Sequence, residues 1–212
     1  VTVPRLHVIC PDDVLARPTF PLLAAELLAE GDGDVALHLR PRAIPARACL
    51  ARMPELLDAA ARGDGWLVVN GRVDLALVGD AHGLQLGRGA LPVSVVRRLI
   101  PPHVRIGVSV HGTVDARAAA AGGADYLLLG TTFPTPSHPG EPGIGVAGIE
   151  RCAGVGAPLI AIGGIDAGRT PAVLRAGAHG IAVIRAVWES DSPSRASERL
   201  RRRIETVSEG GA

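Results

Sequence analysis

The sequence predicts an α/β fold, a single (β/α)8 TIM barrel filling residues 1–212, and three observations predict it. Short apolar runs recur eight times along the chain. Segments rich in Ala, Leu and Arg, with helical patterning, lie between most of them. The hydrophobic content is 47% but aromatics supply only 2%, so the core must be built from Val, Leu, Ile and Ala. Such runs suit strands buried on both faces, the condition of a parallel sheet. Alternating strands and helices meet the other condition, because parallel neighbours need a crossover. Eight such units in 212 residues make a compact barrel. The alternative is an open doubly wound sheet, but no G-x-G-x-x-G follows the first strand to mark a dinucleotide fold.

The elements follow in order. "LHVIC" (6–10) is the first strand, leading to the helical "PLLAAELLAE". "VALHLR" (35–40) is the second; Pro41 fits poorly inside a central strand, so the strand has ended there and Arg42 lies in the loop before the helical "ARACLARMPELLDAAAR". "WLVVN" (66–70) is the third. Asn70-Gly71 would suit a two-residue hairpin turn. The next residues, from Arg72 to Leu77, do not alternate and read as a short helix, which puts Asn70 at the C-terminal end of a buried strand. "GLQL" (83–86), "RIGVSV" (105–110) and "YLLLG" (126–130) follow, with the helical "VDARAAAAGG" between the last two. The Pro- and Gly-rich "TTFPTPSHPGEPGIG" (131–145) is too long for an ordinary strand-to-helix loop and reads as an active-site lid. "PLIAIGG" (158–164) and "GIAVIRAV" (180–187) complete the strands, "TPAVLRAG" lies between them, and "SPSRASERLRRRIETVSE" closes the chain as a helix. A weak repeat, "GDAHGLQLG", "GGADYLLLG" and "AGAHGIAVI", runs a helix end straight into a strand each time.

A formal net charge of +1 gives no reason to expect nucleic acid or an acidic membrane as partner. No run reaches the roughly 18 apolar residues of a membrane span. The opening "VTVPRLHVIC" lacks a signal-peptide layout. Cys10, Cys49 and Cys152 are widely spaced and odd in number, which fits a reducing compartment. The expectation is a soluble, cytoplasmic protein, with self-association into a homodimer left open. All 22 basic residues are arginine. The absence of lysine excludes Schiff-base catalysis and a P-loop lysine, which both need an amine.

In a barrel the active site lies at the C-terminal ends of the strands. There the sequence places Cys10 and Asp12, Arg40 and Arg42, Asn70, Gln85, Ser109 and His111, Thr131 through Thr135, Gly163 and Gly164, and Arg185. A set rich in Arg and small hydroxyls suits an anionic ligand. Gly163-Gly164 ends an apolar strand and lets backbone N–H groups approach a ligand, and with the end of the eighth strand it forms the place where many barrels bind phosphate. His38, Arg40 and Arg42 share a face if all follow strand geometry. Two buried arginines need a partner, either a ligand anion or an acidic side chain. Ser109 points inward with His111 just above it, and an imidazole suits general acid/base work. His7, His82, His103 and His179 read as structural or exposed, Cys10 as a small core residue and Arg201-Arg202-Arg203 as a solvated face. No histidine has metal-ligand spacing with Cys or carboxylates, so neither metal nor cofactor is expected.

"LVVNGRVDLAL", "IGVSVH", "GADYLLLGTTFPT", "GIGV", "LIAIGGI" and "AGAHGIAVI" resemble, in order and over nearly the whole chain, the thiamine phosphate synthase and thiazole tautomerase superfamily. The resemblance implies a (β/α)8 barrel that binds a thiazole phosphate; the residues expected at the ligand are Asn70, Ser109, Thr131, Thr135, Gly143, Gly163 and Gly164 beside Arg40 and Arg42, with Arg185 where the family usually has a small hydroxyl residue. The resemblance also implies that a synthase carries Asp where this chain has Gly71 and Ala90, and lysines where it has Arg42 and His138. Those two carboxylates hold magnesium on the diphosphate leaving group. "NGRVD" and "SVH" look closer to the tautomerase branch, an isomerase that moves a proton without metal. The usual proton carriers of that branch are Thr131 and Pro41 here, which leaves His111, His138 and Asp12 as candidates. The expectation is a divergent, metal-independent thiazole tautomerase. The alternatives are a thiamine phosphate synthase that releases diphosphate, a carrier or regulator that binds thiazole or thiamine phosphate without turnover, and an enzyme acting on another phosphate ester.

Overall fold

The structure, a computed structural model, describes residues 2–137 and 139–209. Its strands are β1 (Leu6–Cys10), β2 (Val35–Leu39), β3 (Trp66–Asn70), β4 (Gly83–Leu86), β5 (Arg105–Val110), β6 (Tyr126–Leu129), β7 (Leu159–Ile162) and β8 (Gly180–Val183). Each pairs in parallel with the next, and β8 returns to β1 through Leu6↔Ile181 and Val8↔Val183, closing the barrel. The helices are α1 (Asp12–Leu15), α2 (Phe20–Ala29), α3 (Ala46–Leu50), α4 (Met53–Arg62), α5 (Val73–Val78), α6 (Val93–Val96), α7 (Thr113–Ala121), α8 (Gly145–Cys152), α9 (Thr170–Arg175), α10 (Arg185–Trp188) and α11 (Pro193–Glu209). The predicted α/β class and (β/α)8 architecture are therefore the ones observed. No helix among the described residues is long and apolar enough to cross a membrane.

The hydrophobic runs sort into two layers by the period-two alternation of a strand. On β6, Leu127 and Leu129 face the helices, whereas Tyr126 and Leu128 fill the barrel with Ile9, Trp66, Val68 and Ile160. Two of the chain's few aromatic rings thus sit inside the barrel. Tyr126 fits because its neighbour in register is Gly107, where any Cβ would overlap the ring.

Two segments differ from the expected boundaries. The stretch 46–62 is two helices rather than one, since Pro54 has no N–H to continue the ladder from α3 and instead sits in the first turn of α4. Strand eight stops at Val183, so Arg185 opens the short helix α10. Arg201, expected on a solvated face, is half-buried and reaches the Gly31 carbonyl at 3.5 Å.

Candidate active site at the mouth of the barrel

A cavity of about 980 Å³ opens at the C-terminal ends of the strands. Arg40, Arg42, Asn70, Ser109, His111, Thr131, Thr135, Gly163, Gly164 and Arg185 all line it. Gly143 does not; its position is set by packing, because a Cβ there would lie 2.9 Å from the Thr132 carbonyl carbon. His138 lies outside the described residues. Asp12 is absent from the cavity wall, and its carboxylate accepts the backbone N–H groups of Arg42 (3.0 Å), Ala43 (3.1 Å) and Ile44 (3.2 Å). Desolvation alone would raise its pKa, but these amides and the Arg42 charge outweigh it and hold the carboxylate below its ordinary range. Asp12 is an anchor for the loop after β2, a poor position from which to take up protons.

Sequence reasoning missed Arg72, Arg88 and Arg169 in the wall, along with the carboxylates Glu141, Asp166 and Glu189. These residues lie on loops with no hydrophobic period to place them. Arg72 is held by Asp74 at 2.8 and 2.6 Å. Arg169 lies over the Phe133 ring, 4.8 Å from its centroid. Arg185 donates to the Thr135 hydroxyl at 3.1 Å, tying α10 to the loop after β6. Arg40, Arg42 and Arg88 have no carboxylate at ion-pair distance among the described residues. Burial and the neighbouring Arg42 lower the Arg40 pKa while Asp12 opposes them, and an arginine so placed stays charged.

On the opposite wall Gly163 and Gly164 have φ of +109° and +62°, conformations that only glycine adopts without strain. Their turn supports the loop after β6: Thr132 N–H donates to Ile162 at 2.8 Å and Phe133 N–H to Gly163 at 3.0 Å. The N–H groups of Gly163 and Gly164 find no acceptor among the described residues, so they are available to an anion in the cavity.

The cavity floor carries a hydrogen-bonded line that the sequence did not reveal. His7 Nε2 lies 2.9 Å from the Pro4 carbonyl, His7 Nδ1 lies 2.8 Å from His38 Nε2, and His38 Nδ1 lies 2.9 Å from the Asn70 amide atom placed as Oδ1. Both imidazoles are fully buried. Burial, with each other's proximity, lowers the His7 pKa, and burial lowers that of His38 to about 4, so both are neutral. The Pro4 carbonyl can only accept, so His7 donates to it through Nε2 and accepts at Nδ1 from His38 Nε2–H. His38 Nδ1 must then accept too. Two acceptors cannot face each other, so the Asn70 amide is assigned the opposite way round from its placement, with Nδ2 donating to His38 and its oxygen turned to the cavity. The pairing of His7 with His38 spans 31 positions, and neither residue's local pattern announces it.

A synthase-type magnesium site does not fit these residues. Gly71 and Ala90 have no side-chain oxygen to offer, and the space a side chain at 71 would occupy is empty within 4 Å of its Cβ position. Asp166, the nearest thing to a free carboxylate in the turn after Gly164, already accepts from the Gly168 and Arg169 N–H groups at 2.9 Å each. Among the described residues no three His, Cys, Asp or Glu side chains are grouped so as to hold a metal.

A closed (β/α)8 barrel with an arginine-rich cavity at its strand ends defines an α/β barrel with a small-molecule-sized site at its mouth. Residues 6–187 match the family described as thiamine monophosphate synthase, and the chain belongs to that family. The thiamine-phosphate synthase of Mycobacterium bovis (strain BCG / Pasteur 1173P2) is 40% identical over 207 residues, 93% of each chain. That of Methanoculleus marisnigri is 38% identical over 195 residues, covering 91% of this chain and 92% of the relative. The solved thiamine phosphate pyrophosphorylase of Pyrococcus furiosus superposes with a TM-score of 0.84 at 34% identity over 96% of both chains. These relatives correct the expected thiazole tautomerase and its isomerase class: across nearly the whole chain the similarity is to synthases, which are transferases. The tautomerase expectation rests on a few substituted positions, chiefly Gly71 and Ala90, and a handful of substitutions at one rim is a weaker signal than 40% identity over 207 residues.

Proposed function

We propose that this protein is a transferase of the thiamine-phosphate-synthase type, joining a thiazole phosphate to a pyrimidinylmethyl group with release of diphosphate. The observation that supports it is the 40% identity over 93% of the chain to a thiamine-phosphate synthase, together with a cavity large enough for two ligands. The thiazole phosphate would sit with its phosphate on the free N–H groups of Gly163 and Gly164, beside Thr135 and Arg185. The diphosphate ester would face Arg40 and Arg42 across the cavity. In the reaction the thiazole nitrogen lone pair forms the new C–N bond while the C–O bond to diphosphate breaks. The bonding electrons leave with the diphosphate oxygen, and the thiazole becomes a thiazolium cation. No proton has to move, so the reaction does not require the acid/base role for which His111, His138 and Asp12 are the sequence's candidates. The chain's own residues bind and orient: arginines for the anions, and apolar walls at Ile9, Leu128 and Ile162 that exclude water from the reacting carbon.

The test is incubation of the purified protein with thiazole phosphate and hydroxymethylpyrimidine diphosphate, with and without magnesium, followed by chromatography for thiamine phosphate and phosphorus NMR for diphosphate. Product under either condition supports the assignment, and its absence under both refutes it.

A further inference from the structure

We infer that this barrel holds the diphosphate group without a metal ion, with Arg88 at the rim, together with Arg40 and Arg42, supplying the positive charge. The inference rests on the proposed transfer reaction for the identity of its ligand, but the binding claim stands on the geometry of the rim.

Three observations carry it. The first is the donor set: Gly71 and Ala90 leave no carboxylate at the two positions where the resemblance puts magnesium ligands, and the described residues contain no alternative group of three. Hard divalent cations need several oxygen ligands, and a rim of arginines repels them. The second is the charge that is left free. Among the arginines of the wall only Arg72 is ion-paired, with Asp74; Arg185 and Arg169, also without a described carboxylate, are held by the Thr135 hydroxyl and the Phe133 ring on the Gly163-Gly164 side. Arg40, Arg42 and Arg88 are not neutralised by any described carboxylate. The third is placement. Arg40 and Arg42 follow β2, and Arg88 follows β4, so the three flank Asn70 and Gly71 at the end of β3, which lies between those strands in the barrel. Arg88 lines the cavity and is two residues before the exposed Ala90, so a positive charge stands at the rim beside the position that lacks the carboxylate.

A planar guanidinium meets two phosphoryl oxygens at once, and three of them can offset the charge of a diphosphate that a metal would otherwise screen. When the C–O bond breaks, the oxygen left on the diphosphate gains negative charge beside donors already in place, so no cation has to be recruited.

The experiment is calorimetric titration of inorganic pyrophosphate into the protein in EDTA and again in excess magnesium, repeated on Arg88→Ala and Arg42→Ala. We expect binding in EDTA, no gain on adding magnesium, and a loss of about tenfold to hundredfold in each variant, the range of a charge-assisted hydrogen bond. Arg88 is exposed, so its removal leaves folding intact, which the melting temperature verifies. A second variant restores the carboxylates: Gly71→Asp with Ala90→Asp should make binding respond to magnesium. Pyrophosphate binding that appears only with magnesium, or is absent in both buffers, overturns the inference, and so does an unchanged affinity in Arg88→Ala. Pyrophosphate bound in EDTA by a protein that forms no thiamine phosphate would sink the proposed reaction and leave the metal-free site standing.

Discussion

Replacing His38 by Gln tests the buried line of hydrogen bonds through pH. The folded His38 pKa is depressed to about 4 by burial, against about 6.5 for an unfolded histidine. The unfolded state therefore binds more protons than the folded state between those values, so stability is intact above about pH 6.5 and falls as pH drops toward 4. At pH 5 the unfolded imidazole is almost wholly charged and the folded one almost wholly neutral, which works out to about 2 kcal/mol lost relative to pH 7. Glutamine does not titrate, and its amide can still donate to His7 and meet Asn70. Urea unfolding at pH 7 and pH 5 should show His38→Gln losing about 2 kcal/mol less than the parent over that interval. His7, also depressed, keeps its own share of the pH dependence in both proteins. Equal losses in parent and variant would refute the neutral, buried assignment, and with it the orientation deduced for Asn70.

Gly163→Ala puts a Cβ 2.7 Å from Thr131 Cγ2 and 2.9 Å from the Thr132 nitrogen at a φ of +109°. It should cost about 1–3 kcal/mol and weaken phosphate binding, seen as a lower melting temperature and a lower affinity by calorimetry. Tyr126→Phe removes a fully buried hydroxyl that has no partner in the structure, so the melting temperature should hold or rise. A clear fall would show that the hydroxyl has a water partner in solution. Asp12→Ala frees the Arg42, Ala43 and Ile44 amides and should loosen the loop that carries Arg42. Pyrophosphate affinity should drop by about tenfold, with a stability loss of about 1–2 kcal/mol by urea unfolding.

The barrel is legible because its signals are local and repeated. Each strand is a short aliphatic run, and boundaries such as Trp66–Asn70 and Arg105–Val110 are marked by the residues themselves. Asn70-Gly71 shows how context overrules a local cue: the dipeptide suits a hairpin, but the non-alternating residues after it form α5 and place Asn70 at the cavity. Strand eight reads too long in the sequence because "IRAV" continues the apolar pattern, while the chain turns at Ile184 into α10. Site residues on strand ends are locatable for the same reason the strands are. Arg88 and Arg169 are not, since loop residues enter a cavity by the path of the backbone. The pairing of His7 with His38 is invisible in the sequence because it depends on the β1–β2 register, which sets Ile9 beside His38 and brings the two rings together across the sheet.

That line also has a direction. Every proton in it points toward the closed end of the barrel, from Asn70 to His38, from His38 to His7 and from His7 to Pro4. The dipoles of two imidazoles and one amide therefore add instead of cancelling. Their negative end is the Asn70 oxygen, which looks out into a cavity that carries Arg40, Arg42 and Arg88 at the rim. A ligand that is anionic at both ends and gains positive charge in its middle meets a matching sequence of potentials there: arginine at the rim, amide N–H on the far wall, and electron-rich oxygen at the floor.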